Sequence, residues 1–151
     1  MASFELAIPI VLVNEGGLVD NPSDPGGLTN FGISQRSYPN VDIRNLTQDG
    51  AAAIYLRDFW KYDLVESQLM ATKIFDMSVN MGHTAIRILQ ACLGVPADGI
   101  WGPGTCAAVN TANYGLINDY RLALGRHYQN IVLADPSKAQ FLAGWLRRAA
   151  Q

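Results

Sequence analysis

Reactive side chains are scarce in this sequence, which has two cysteines, Cys92 and Cys106, and two histidines, His83 and His127, among 151 residues. The cysteines sit in apolar neighbourhoods without metal-ligand spacing and the histidines are far apart, so free buried thiols are expected and a zinc site is not. An excess of positive charge is also missing. Eleven Lys and Arg stand against thirteen Asp and Glu, a net charge of −2, and this balance argues against nucleic acid as a partner. No apolar run reaches the length of a membrane span. The apolar start "FELAIPIVLV" has no positive residue before it, contains Glu5 and is followed by no small-residue cleavage site. It is therefore expected to belong to the mature fold of a soluble, cytoplasmically made chain. There is no internal repeat, low-complexity tract or long linker, which leaves "VPADGIWGPG" as the one candidate seam. That segment lacks the lysine and hydroxyl that follow the glycines of a phosphate loop, so nucleotide binding is not indicated.

What is present is a core. With 49% hydrophobic and 16% charged residues, the chain fits a single compact domain over 1–151, with a closely packed C-terminal part over about 84–151. Phe4, Ala7, Ile8, Val11 and Leu12 fall at helical spacing, Ser3 is a candidate N-cap, and Gly16 suits the left-handed position that ends such a helix. Thr47 is placed to cap a helix over about 48–62, and further helices are expected over about 67–81, 84–93, 104–112, 115–132 and 137–149. Gly82 and Gly94 read as stops. "LTNFGIS" alternates weakly and suits one strand of a small hairpin. The expected fold class is therefore mainly α, with at most a small β hairpin.

Between the first helix and that strand lies "EGGLVDNPSDPGGLTNFGI", where a lone glutamate meets a loop stiffened by two prolines and opened by glycines. Glu15, at a helix C-terminus, faces the negative end of the helix dipole, and apolar neighbours would further favour its protonated form. A carboxylic acid that keeps its proton is what glycoside hydrolysis requires, because the departing sugar oxygen must be protonated as its bond breaks. Asp24 follows nine residues later and Thr29 five after that, so a carboxylate and a hydroxyl are available to hold and activate water. Asp20 competes with Asp24 for the second role.

These residues carry a resemblance. "NEGGLVDNPSDPGGLTNFGIS" resembles the signature of the N-acetylmuramidases of glycoside hydrolase family 108: an apolar helix ending in E-G-G, then P-x-D-P-G-G-x-T and G-I-[ST]. It continues through "AAAIYLRDFW" and "IFDMSVNMG", and "ILQACLGVPADGIWGPGTCAAV" is similar to the peptidoglycan-binding segment that accompanies the family; about three quarters of the chain is covered. The resemblance implies a lysozyme-like helical fold and cleavage of the β-1,4 bond between N-acetylmuramic acid and N-acetylglucosamine, with Glu15 as catalytic acid. Broader phage-type lysozymes space their acid, second carboxylate and threonine by nine and six residues, so the second interval here is one shorter. It implies no metal or organic cofactor, and peptidoglycan glycan strands as the partner of a monomeric chain. It also implies a phage-endolysin route, from the host cytoplasm to the wall through holin-type release.

Asp76 and Asn80, four apart on one helical face, are candidates to line a sugar cleft, with an anchored buried hydrogen bond as the alternative for Asp76. Among Tyr55, Phe59, Trp60 and Tyr62, the last two are the candidates for a stacking surface, the others for the core. Arg121, Arg126, Lys138, Arg147 and Arg148 lie beside an apolar pattern containing Phe141, Leu142, Trp145 and Leu146, and read as a solvated basic face or as weak attraction to an acidic surface. Two rival functions remain open at this level: a lytic transglycosylase acting on the same bond, and a non-catalytic wall-binding protein.

Overall fold

The computed structural model describes residues 1–20 and 27–151. Asp24 lies outside the described residues. Helix α1 (Phe4–Glu15) starts at Ser3, but the Ser3 hydroxyl donates to Glu5 at 2.6 Å instead of capping the helix. Its end follows the expected chemistry, with Gly16 at φ 76° donating its N–H to the Leu12 carbonyl. Three short strands then form an antiparallel sheet in the order β1 (Val19–Asp20), β2 (Leu28–Asn30), β3 (Ile33–Ser34). Asn30 pairs with Ile33, so Phe31-Gly32 is a two-residue hairpin turn, and both residues have positive φ, 50° and 76°. That is the turn geometry matching the natural twist of a hairpin, although a phenylalanine adopts it only at a cost of about 1–3 kcal/mol.

Among the described residues six more α-helices follow, α2 (Gln48–Asp58), α3 (Gln68–Met81), α4 (His83–Leu93), α5 (Pro103–Thr111), α6 (Leu116–Ala134) and α7 (Ala139–Ala150), with a short 3-10 turn, Pro136–Lys138, leading into the last. Thr47 caps α2 by accepting the Gly50 N–H at 3.1 Å, and Ser67 does the same for α3 from Met70. The second helix ends at Asp58, short of the expected 62, because the chain turns back so that Trp60 and Tyr62 enter the core. Helix α3 is the axis of the body, with every residue from Met70 to Met77 buried. Around it, Phe4, Tyr55, Trp60, Tyr62 and Phe75 pack mostly edge to face, with centroids 5.2–6.3 Å apart, the arrangement preferred by ring quadrupoles. The C-terminal part joins this core through α4 against α3 and α6, and α7 lies along α6. Cys92 and Cys106 are free thiols.

Candidate active site

Glu15 is the last residue of α1, and the tip of the β2–β3 hairpin closes over its carboxylate. A Cβ on Gly32 would stand 2.6 Å from Glu15 Oε2 and 2.5 Å from the Tyr55 hydroxyl oxygen, so only glycine lets this backbone approach. Tyr55, on α2, fixes the tip by donating its hydroxyl to the Phe31 carbonyl at 2.8 Å. Burial, followed by the nearby Glu15 charge, pushes the Tyr55 pKa well above its ordinary value, which keeps the donor proton in place.

The other flank of Glu15 differs from the apolar surroundings expected. Arg148, on α7, brings Nη2 to 2.7 Å from Glu15 Oε1, and the same nitrogen lies 2.8 Å from Asp76 Oδ1. Arg148 Nε lies 3.1 Å and 3.2 Å from the two Asp76 carboxylate oxygens, and Nη2 reaches the Asp76 carbonyl at 3.2 Å. Burial opposes the guanidinium charge, but the Asp76 and Glu15 hydrogen bonds and charges outweigh it and raise the Arg148 pKa above its ordinary value. A cation from the far end of the chain therefore holds the candidate acid and is itself held by a buried carboxylate. Lys73 donates to the Arg148 carbonyl and ties the end of α7 to α3. Burial lowers the Lys73 pKa to about 8.

Asp76 is therefore an anchor, contrary to its assignment as a sugar contact. It is 1% exposed, and its oxygens are taken by Arg148 and by the Asn14 amide at 3.0 Å. Trp60 and Tyr62, 8% and 3% exposed, are likewise not a stacking surface. The Trp60 indole donates to Asp63 at 2.6 Å and the Tyr62 hydroxyl to Ser78 at 2.9 Å, while their rings face Phe4 and Phe75. Asn80 is exposed at the end of α3 and accepts a hydrogen bond from Tyr128. Thr29 pairs with Val19 and Ser34, on the sheet face opposite the buried Asn30 and Ile33, and among the described residues its hydroxyl makes one long contact, 3.4 Å, to the Gly27 carbonyl. Asp20 is engaged by Arg44 at 2.6 Å in an exposed ion pair.

The residues that local pattern missed are Asn14, Gly32, Tyr55 and above all Arg148. Gly32 had a signal, since a glycine in a two-residue link between strand-like segments marks a hairpin turn. For Arg148 the one available sign was its spacing of three from Trp145 on an apolar helix face.

Comparison with known proteins agrees with this architecture. Residues 8–82 match the glycosyl hydrolase 108 family, and residues 84–150 match a predicted peptidoglycan domain. The structure of SagA from Brucella abortus superposes with a TM-score of 0.77 at 29% identity, over 97% of this chain and 89% of that one. No curated protein matches the sequence. The helical body, the glutamate at the end of α1 and the paired matches lead to one assignment: the chain belongs to the glycosyl hydrolase 108 family and is a peptidoglycan-directed glycoside hydrolase.

Proposed function

We propose that this peptidoglycan hydrolase cleaves the β-1,4 bond between N-acetylmuramic acid and N-acetylglucosamine, with Glu15 as general acid. The observation that carries the proposal is the placement of Glu15: one carboxylate oxygen is bound by Arg148, and the other lies close under the Gly32 backbone at the hairpin tip. A carboxyl group held by a buried cation beneath a closely approaching hairpin tip is oriented before substrate arrives, which lowers the cost of reaching the reactive geometry. Glu15 acts in its protonated form, Oε1 accepting from Arg148 and Oε2 carrying the proton, which passes to the departing glycosidic oxygen as the bond breaks. Water, held by Thr29 and deprotonated by Asp24, attacks the anomeric carbon, and Asp24 takes its proton. The products are a free hydroxyl on the departing sugar and a new reducing end.

The protein acts on the bacterial wall after release from the cytoplasm, and among the described residues no helix is long and apolar enough to cross a membrane. Digestion of purified peptidoglycan in ¹⁸O-water, followed by mass spectrometry, tests the chemistry. Reducing muramic acid ends that carry one ¹⁸O are expected. Unlabelled 1,6-anhydro ends would mean that the substrate's own hydroxyl attacks, and would overturn the proposed water attack.

A further inference from the structure

Helix α7 carries two aromatic rings on the face that holds Arg148. Phe141, Trp145 and Arg148 follow at intervals of four and three residues and so share one helix face. At the first level, Arg148 is bound to Asp76 of α3. At the second, one turn earlier on α7 and one turn later on α3, Trp145 stacks on Tyr128 of α6 with centroids 5.2 Å and planes 21° apart, and the Tyr128 hydroxyl donates to Asn80 Oδ1. The two levels are thus separated by about 5 Å, the rise of a helical turn. Phe141 adds a third level, 5.7 Å from Trp145 and 51% exposed. An aromatic step therefore leads outward from the cation that holds Glu15.

Asn80 supplies the polar component. Its Oδ1 is occupied by Tyr128, which directs the amide Nδ2 away, and among the described residues that nitrogen has no partner. Burial raises the Tyr128 pKa to about 12, so the hydroxyl keeps its proton and the amide its orientation. A pyranose ring offers a face of C–H groups that packs on an aromatic ring, and its acetamido carbonyl or hydroxyls accept from an amide. Trp60 and Tyr62 are buried and cannot fill this role. We propose that Phe141, Trp145 and the Asn80 amide form a saccharide subsite for a sugar ring of the glycan strand, one to two helix turns from the Arg148–Glu15 pair. The proposal rests on the glycan-hydrolase function above.

The test uses the full chain carrying Glu15→Gln, to prevent turnover, and titrates it calorimetrically with peptide-free glycan strands from purified peptidoglycan. Phe141→Ala and Asn80→Ala should each weaken binding by about three- to tenfold, and Phe141→Tyr should restore it. With the natural Glu15, Phe141→Ala should raise KM by a similar factor and leave kcat unchanged. Affinities within twofold of the parent for both alanine variants would overturn the subsite, as would a parent that binds no glycan strand. Fragment release by the unsubstituted chain reports separately on hydrolysis: intact release with unmoved affinities removes the subsite alone. Weakened binding without release upholds the subsite and removes the hydrolase assignment.

Discussion

Replacing Arg148 with methionine removes a cation on which two carboxylates depend. The arginine side chain is 11% exposed and that of Asp76 2%, so the substitution leaves a buried carboxylate with the Asn14 amide as its remaining side-chain partner. Stranding one member of such a pair costs about 3–5 kcal/mol, a large share of the ~5–15 kcal/mol that holds a typical domain folded. The melting temperature should fall by about 6–20 °C for a chain of this length. Asp76→Asn is milder, about 1–3 kcal/mol, because the guanidinium still reaches Glu15 at 2.7 Å. In the double variant the stranded charge is gone, so its loss should fall short of the sum of the singles by about 0.5–3 kcal/mol. Urea denaturation of the four proteins at neutral pH gives each term from the midpoint and slope. Hydrolysis should fall together with stability in Arg148→Met, because a displacement of the acid by about 1 Å costs on the order of 100-fold. Additive singles, or a loss below about 1 kcal/mol for Arg148→Met, would refute the account of Arg148 as a buried, shared cation.

Gly32→Ala should place a methyl group against the Tyr55 hydroxyl and the Glu15 carboxylate in a backbone conformation, φ 76°, that alanine resists. Activity should drop at least tenfold with a stability loss of about 1–3 kcal/mol, and an alanine variant with unchanged turnover would contradict the close approach. Lys73 gives a pH signature: its folded pKa, lowered by burial to about 8 from 10.5, means that the unfolded chain binds more protons between those values. Lys73 therefore contributes stability that rises with pH over that window, by up to about 3 kcal/mol. Unfolding curves from pH 7 to 10.5 should show this rise in the parent relative to Lys73→Met, and parallel pH dependences would contradict it.

Much of the fold follows from local chemistry legible in the chain. Thr47 caps its helix, Gly16 ends α1, and Gly82 and Gly94 stand where α3 and α4 stop. The position of Glu15 was legible for the same reason, being the residue at which an apolar helix meets a glycine turn. What local pattern could not convey was contact between distant segments. Trp60 and Tyr62 look the same in sequence whether exposed or buried, and only the early end of α2 turns them inward. Arg148 is one of five basic residues near the C-terminus, and apart from its spacing of three from Trp145 nothing in its vicinity distinguishes a solvated arginine from one that crosses 133 positions to reach Glu15. Its burial depends on α7 folding back along α6 so that its end meets α3, a tertiary event. The same event brings the segment of the peptidoglycan-domain match against the candidate acid, since α7 supplies the cation bound to Glu15.

Glu15→Gln tests the central claim most directly, because it keeps the shape of the side chain and its hydrogen bond from Arg148 while removing the transferable proton. Wild type and variant, matched by their urea unfolding midpoints, should be compared for the rate of fragment release from purified peptidoglycan. The account predicts a loss of about 10²- to 10⁴-fold in the variant with its fold intact. A folded Glu15→Gln protein that releases fragments at the wild-type rate would show that the acid lies elsewhere.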